Sequence, residues 1–508
     1  MSENTNTTEY NYERIANWLF GRAKIYTSVT DLTEENVIAE VNTAIGFHVK
    51  NLMEEEYLYW YRRGVMPILW RKKEIRPEIC AKISVNYSDQ IVSFKDGYFL
   101  AKPAFYVSRT EDEEKTEKIK ELNEYLYRSG KQEADNEVVD WFHTVGLGVI
   151  HVMPNDDDEV PAVVYSLDPR TAFVVYSLNS GNKPVYAVHL VTDNDKVLID
   201  VITKTQIFHL YGTVTGKIVT YDPTAYTVTA SGVSSVEPNR LGLINIIEYQ
   251  YNSVRAAAFE SVVPLIDAVN LATSDRSDGL EQIIQSLLVF YNCNIEDDDE
   301  GNPVTPEAIR KAGALFLKSI GENKADLKEI STNLDQTQSQ QFIDDLERKI
   351  FAICGMPTSN GGRTYDSTGS AALANNGWYQ AETVASNTKD NFVKSNKYFD
   401  EVFLKILKIK KGFEISPNDF DIKIPGNETA NVQSKAQACQ TMLAAGLAPE
   451  LAFTKSGISN DPVADVEMSK KYLALIWGDP DKPEDISRSV DIVEEDNNNG
   501  ENAIGGAV

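Results

Sequence analysis

The sequence has only four cysteines in 508 residues. Cys80, Cys293, Cys354 and Cys439 lie far apart and form no CxxC pair, which excludes a disulfide-stapled fold and points to inert thiols in a reducing compartment. Histidine is almost as scarce. His48, His143, His151, His189 and His209 form no HExxH or other close pair, so packing or surface roles are expected of each. Cations are outnumbered, 49 Lys+Arg against 76 Asp+Glu, for a net charge of −27. That balance excludes an ordinary free nucleic-acid binder, which needs clustered Lys and Arg to displace counterions from phosphates. No apolar run approaches the ~18 residues of a membrane span, so no membrane partner is expected. Met1 to Tyr10 lacks the basic start and apolar core of a secretory signal. A cytoplasm-like compartment is therefore expected, with the Asn-x-Thr/Ser triplets at Asn6, Asn86 and Asn427 unglycosylated.

What is present is a globular composition, 42% hydrophobic and 10% aromatic. At roughly 150 residues per domain the length suggests about three units. Val37, Ile38, Val41, Ile45 and Val49 recur at helical spacing, and the most basic neighbourhood follows them: Arg62, Arg63, Arg71, Lys72, Lys73 and Arg76. Thr110 to Arg128 reads as a charged helix with Ile119, Leu122 and Leu126 on one face, and Asn136 to Leu147 as a second helix ending at Gly146 or Gly148. From Val149 the period changes to alternation. The runs 149–153, 162–165, 172–176 and 185–190, with further strands to about Tyr226, predict a β-rich antiparallel meander, because the connections are too short for crossover helices.

Helical spacing returns at Pro264 and holds through Leu265, Ile266, Val269, Leu280, Ile283, Ile284, Leu287 and Leu288, around a polar middle from Ser274 to Asp278. The result is a rod of roughly 38 Å. A short mixed segment follows: a strand from Leu288 to Tyr291, an acidic loop from Ile295 to Asn302, a helix opened by Thr305-Pro306-Glu307, and a strand from Ala314 to Lys318. A second rod, Ser339 to Cys354, stops at Gly355-Met356-Pro357. Thr358 to Gly369 is a loop of small and polar residues, and Ser370 to Lys408 a helix of roughly 58 Å if unbroken, with a plausible kink at Asn375-Asn376-Gly377. A strand from Phe420 to Ile424 precedes helices over Asn431 to Ala445, from Pro449, and from Asp461-Pro462 to Trp477; an acidic Asn/Gly-rich tail closes the sequence, with disorder expected of it. There is no internal repeat.

No motif nominates a catalytic centre. Gly212 to Ile218 has one residue too few between its glycines for a phosphate loop and ends in Ile, so a hairpin turn is expected. Glu296 to Gly301 with Glu307 approaches a calcium-loop pattern. It starts with Glu, is stiffened by Pro303 and Pro306, and lacks flanking EF-hand helices, which makes a solvated turn the expectation and leaves no metal or cofactor assigned. GxSxG and Cys/His nucleophile signatures are absent. The two rods carry apolar stripes too extensive for one thin layer to cover, which suggests that neighbouring copies complete the packing.

This order of elements resembles the portal proteins of long-tailed bacteriophages. The residues that carry the resemblance are Leu167-Asp168-Pro169-Arg170 leading into Phe173 to Tyr176, Pro264 to Asn270 continuing through Ser274-Asp275 to Leu287-Leu288-Val289, Gly361-Gly362 followed by Ser367 to Ala371, and Ala445 to Glu450. The resemblance implies an α+β portal fold and a ring oligomer, usually of twelve subunits, at one capsid vertex of the virion, assembled in the host cytoplasm. It implies a β-rich wing over 1–263 and stem helices over 264–287 and 339–355. Between them lies a mixed α/β clip over 288–338. A tunnel loop is implied over 356–369, a long spine helix with a return strand of the wing over 370–426, a helical crown over 427–478 and a disordered tail over 479–508.

The implied role is a channel for double-stranded DNA during packaging and ejection. The implied partners are the terminase large subunit, head-completion or adaptor proteins, the major capsid protein and a scaffolding protein. The tunnel-loop candidates are Asn360, Gly361, Gly362, Arg363, Thr364 and Tyr365, with Arg363 the one cation of its loop, opposed by Asp366. The partner-facing candidates of the clip are Asp297, Asp298, Asp299 and Glu300. Acidic or neutral groups are expected along the channel, and the Arg62 to Arg76 cluster away from it or in contacts between subunits. Two other classes stay open on the residues alone: a minor capsid or baseplate protein without a channel, and an acidic hydrolase using paired carboxylates.

Overall fold

The computed structural model describes residues 20–74, 76–100, 102–109, 112–157, 159–179, 181–218, 226–284, 287–291, 293–295, 317–319, 326–330, 336–357, 378–425, 432–459, 465–466 and 468–469. The chain forms two compact units, one from Met1–Phe99 with Tyr125–Glu414 and the other from Leu100–Glu124 with Ile415–Val508. The architecture is mixed α+β, as expected.

In the larger unit the alternating sequence gives not one meander but two sheets. The six-stranded sheet has the order β1 (Ile25–Thr27), β5 (Ala172–Ser177), β6 (Pro184–Asp193), β7 (Lys196–Thr203), β8 (Gln206–Gly216) and β9 (Tyr226–Pro238). Its pairs are antiparallel except β1 with β5, which run parallel. The smaller sheet places β3 (Leu147–Pro154) between β10 (Ile246–Gln250) and β4 (Ala162–Leu167). Two expectations are corrected here. β1 and β10 come from segments whose own sequence does not alternate with the meander, and residues 212–216 lie within β8 instead of forming a turn.

Period-two alternation sorts the large sheet's faces. Tyr186, Val188, Leu190, Val197, Ile199, Val201, Phe208 and Leu210 pack with Val37, Val41, Ile45 and Val49 of helix α1 (Val37–Arg62). On the other face Ala187, Ile202 and Ile207 meet Val149, Ile244 and Ile246. The long edge strand β9 is closed at its centre by α1: Asn42 accepts the Ala230 N–H at 2.7 Å and donates to the Ala230 carbonyl at 3.1 Å.

A second core joins the end of α1 (Leu58, Tyr61) to Ile91 and Val92 of α2 (Tyr87–Phe99), to Ile266 and Val269 of α5 (Val263–Ile284), and to Ile343, Leu346 and Ile350 of α6 (Gln336–Ile353). Between them in sequence lie α3 (Glu113–Arg128) and α4 (Lys131–Val145). α4 starts five residues before the expected Asn136. Lys131 and Asp135 form a buried ion pair, and the Lys131 ammonium sits 4.5 Å from the Phe399 ring centroid, so a first turn that reads as polar is held by distant aromatics. α7 (Trp378–Lys411) buries Phe392, Phe399, Phe403 and Ile406, and its Asn396 accepts from Tyr249 at 3.1 Å.

The smaller unit pairs β2 (Phe105–Ser108) antiparallel with β15 (Phe420–Lys423), and Asn123 brackets Tyr106 by accepting its N–H and donating to its carbonyl, both at 2.9 Å. Its helices α8 (Val432–Ala444) and α9 (Pro449–Ser456) pack on each other. The helix expected from Asp461 to Trp477 and the tail fall almost wholly outside the described residues.

Candidate functional site

The site begins with a polar ladder on an otherwise apolar helix. α5 is 22 residues long, about 33 Å, and its buried face carries Asn270, Ser274 and Asp278 among Ile266 and Val269. These three are 0%, 0% and 1% exposed. Each receives a backbone amide from one irregular segment running the opposite way. Val85 N–H donates to Asn270 Oδ1 at 2.7 Å, Ile83 N–H to Ser274 Oγ at 3.0 Å, and Ala81 N–H to Asp278 Oδ1 at 2.6 Å. Four helical residues rise about 6.0 Å and two extended residues about 6.6 Å, so a helix with polar groups at i, i+4 and i+8 reads alternate amides much as a sheet edge would.

The ladder ends in a charge clasp. Asp278 Oδ2 pairs with Lys73 and lies 3.4 Å from Arg71 Nη1, while the other arm of Arg71 pairs with Asp275. The basic neighbourhood of the sequence is thus largely spent inside the fold. Arg62 pairs with Asp140 at 2.6 Å and Asp89 at 3.3 Å, Arg63 lies 4.3 Å over the Tyr59 ring, and Arg76 is 3.8 Å from Glu78. Around Arg62, burial pushes the Asp96 carboxyl up to about 7 against the pull of the guanidinium, and His143 donates to or accepts from it at 2.6 Å.

α5 and α6 are joined in sequence by the segment expected as the clip. Its described parts are two ladders, β11 (Leu287–Tyr291) with β14 (Asp326–Ile330) and β12 (Cys293–Ile295) with β13 (Leu317–Ser319), both antiparallel. β12 and β14 were not expected. The acidic candidates Asp297, Asp298, Asp299 and Glu300, and the helix expected from Thr305, lie outside the described residues.

The end of α6 is fixed from three directions. The buried Lys95 of α2 donates to the Cys354 carbonyl at 2.8 Å, so a cation closes the negative end of the helix. Gly355 has φ +65°, and a Cβ there would lie 2.8 Å from Val384 Cγ2 of α7. Gln380, two residues into α7, donates to the Ala352 carbonyl at 3.1 Å. The Trp378 ring centroid lies 6.2 Å from those of both Phe94 and Tyr98. The end of α6 and the start of α7, which residues 358–377 connect in sequence, are therefore held together at one place. Asn360, Gly361, Gly362, Arg363, Thr364 and Tyr365 are within that connection and outside the described residues.

The helix pair also presents apolar side chains to solvent: Leu271 and Leu280 on α5 are 47% and 46% exposed, Phe342 and Ile353 on α6 55% and 56%. Among the described residues no group of three His, Cys, Asp or Glu side chains could hold a metal ion. His48 serves packing: its Nε2–H donates to the Arg170 carbonyl at 3.0 Å, its ring stacks on Phe173 with centroids 4.2 Å apart, and burial holds it neutral, down to about 4. Arg170, from the Leu167 to Arg170 run, forks onto Asp168, reaches Glu56 at 2.6 Å and lies 4.1 Å over the Tyr59 ring, riveting the β4–β5 turn to α1. Burial pushes the Cys354 thiol up to about 11, away from reactivity.

The family model described as phage portal protein, SPP1 Gp6-like, matches residues 53–472. No curated protein matches the chain. Among solved structures, the neck of an empty GTA particle computed with C6 symmetry is similar with a TM-score of 0.41 and 12% identity, over 73% of this chain and 90% of that one. The neck of a native GTA particle computed with C12 symmetry gives 0.39 and 11%, over 73% and 89%. With structural similarity this slight, the family match is what identifies the chain.

Proposed function

The chain belongs to the SPP1 Gp6-like family of phage portal proteins, and on that premise we propose that it is the ring-forming subunit of a portal vertex. The ring holds a channel through which double-stranded DNA is packaged and later ejected, and its outer end docks first the terminase large subunit and then head-completion or adaptor proteins. In this reading residues 264–287 and 339–355 are the stem, 288–338 the clip, 356–369 the tunnel loop, 370–426 the spine and return strand, 427–478 the crown, and 1–263 the wing. The protein resides in the virion and meets capsid and scaffolding proteins in the host cytoplasm during assembly. Its work is mechanical, without a catalytic centre.

The observation that carries the reading, beside the family, is the anchored helix pair. Its two helices leave Leu271, Leu280, Phe342 and Ile353 in water in the single chain, a pattern that copies packed side by side would cover. The polar ladder and clasp make that pair stiff from within, so contacts on its outer side meet a rigid surface.

A duct for DNA must guide without gripping, because every Lys- or Arg-phosphate contact adds salt-dependent affinity that acts as friction. The net charge of −27 and the internal pairing of Arg62, Arg71 and Lys73 support a wall of low cation density. Arg363 and Tyr365 touch passing DNA transiently, and Gly361 and Gly362 let the loop adapt. Asp297 to Glu300 face basic surfaces of the motor or adaptor, where complementary charge raises association rate and specificity.

Particle imaging of the purified protein tests the reading. A ring with a central hole wide enough for a duplex is expected; a monomer, or an assembly with no hole, would overturn it and favour a minor capsid or baseplate role. Leu271→Ser with Phe342→Ser is expected to leave the chain folded and unable to close rings. Arg363→Ala with Gly361/Gly362→Pro should impair packaging or DNA retention, and charge reversal at Asp297 to Glu300 should slow motor docking at low salt.

A further inference from the structure

The start of the described chain is stitched onto the larger unit by three consecutive residues. Gly21 N–H donates to Glu260 Oε1 at 3.0 Å, Arg22 N–H is shared between the Val254 and Arg255 carbonyls at 3.2 and 3.1 Å, and Ala23 N–H donates to Asn51 Oδ1 at 2.9 Å, with Asn51 Nδ2 returning to the Ala23 carbonyl at 2.8 Å. Gly21 has φ +79°, and a Cβ there would lie 2.0 Å from the Val254 oxygen, so the strap is pressed hard against that turn. The Arg22 guanidinium closes it by pairing Nη2 with Glu260, both side chains being 0% exposed.

Beside this strap sits Glu55 of α1. It is 0% exposed, and both of its carboxyl oxygens have no hydrogen-bond partner among the described residues; the same is true of Arg22 Nε and Nη1. The charged groups acting on Glu55 are Arg22 from the strap, Asp168 and Arg170 from the β4–β5 turn, and Glu248 from β10. Each cation already has an anion. Arg22 holds Glu260, and Arg170 holds Asp168 and Glu56. The neighbouring Arg255 holds Glu248 at 2.5 Å, and Tyr176 donates to that same carboxylate at 2.6 Å. An ionised Glu55 would be one buried anion in excess, the arrangement proteins avoid most strongly.

We propose that Glu55 is held as a neutral carboxylic acid and that its loss of a proton to solvent is a switch that frees the Gly21 to Ala23 strap. The carboxylate so formed draws on the unengaged Nε and Nη1 of Arg22, weakens the hold of Arg22 on Glu260, and is relieved by water reaching it as the strap lifts. The carboxyl O–H is the only covalent bond that breaks; the strap's hydrogen bonds to Glu260, Val254, Arg255 and Asn51 open as it lifts. Burial, opposed by Arg22, pushes the Glu55 carboxyl from 4.5 up to about 8. The folded, strapped state therefore binds the proton more tightly than the opened one. Its stabilisation is complete below about pH 4.5 and is lost progressively as pH rises toward about 8.

Amide hydrogen exchange of Gly21, Arg22 and Ala23 in the full chain, corrected for intrinsic base catalysis, reads the strap directly. Between pH 5 and 8 protection should fall by up to about tenfold per pH unit and then level off, while Glu55→Gln, which cannot ionise, should show no such slope. Infrared difference spectra supply an independent readout: of the protonated-carboxyl stretch present at pH 6 and gone at pH 9, one component should be missing from Glu55→Gln while that of Asp96 stays. Protection of the three amides that does not vary with pH, the same slope in Glu55→Gln, or a Glu55 carboxyl already ionised at pH 6 would each overturn the proposal. If Glu55→Gln does not fold, the exchange titration of the native chain and the infrared titration of Asp96→Asn, in which Glu55 is intact and the Asp96 carboxyl is gone, decide the matter.

Discussion

Asp278 and Glu55 are carboxyls of nearly equal burial, 1% and 0% exposed, on two helices of one unit, and they sit in opposite circumstances. Asp278 receives the Ala81 amide, pairs with Lys73 and has Arg71 within 3.4 Å. Glu55 receives nothing among the described residues. Burial alone therefore does not decide what a carboxyl does; the number of partners does. The matched acid ties two segments together, and the unmatched one is a store of proton-dependent free energy.

The comparison can be broken, or sharpened, by substitution, each variant read by urea unfolding at fixed protein concentration. Asp278→Ala should have the largest effect, a loss of about 3–5 kcal/mol, because it removes the buried anion that pairs with Lys73 and Arg71 and leaves the Ala81 amide without its acceptor. Loss of under 1 kcal/mol would mean that the clasp is no more than a surface pair. Lys95→Met removes one charged hydrogen bond from the buried Cys354 carbonyl and should cost about 1.5–3 kcal/mol. Ser274→Ala leaves the half-buried Ile83 amide to find water and should cost about 1 kcal/mol. Lys118→Ala, which breaks an exposed pair with Glu114 at 2.9 Å, should not move the unfolding midpoint measurably. Against this descending series, Glu55→Gln should have the opposite sign, stabilising at pH 8 and doing little at pH 5.

The same contrast explains what could be read in the sequence. Periodicity announces every element whose own side chains dictate it. The apolar faces of α1, α5 and α6 and the strands β3 to β6 fall within a few residues of expectation. The polar interruption at Ser274 to Asp278 was visible as an oddity of α5, and its cause was not, since the amides that explain it stand as far as 197 residues earlier in the chain. The first turn of α4 has no signal in its own sequence, because the rings that hold Lys131 come from β10 and α7. The parallel pairing of the three-residue β1 with β5 has no periodic signature at all. The resemblance to portal proteins rests on the order of elements, and the family model matches residues 53–472. The loop and clip candidates lie outside the described residues, so their assignment stands on that order alone.

Ala352 and Cys354 are anchored beside Gln380 and Trp378. The groups that hold the end of α6 to the start of α7 all lie outside residues 358–377. Lys95 and Gln380 thus hold the end of α6 and the start of α7 in register from outside the sequence that joins them.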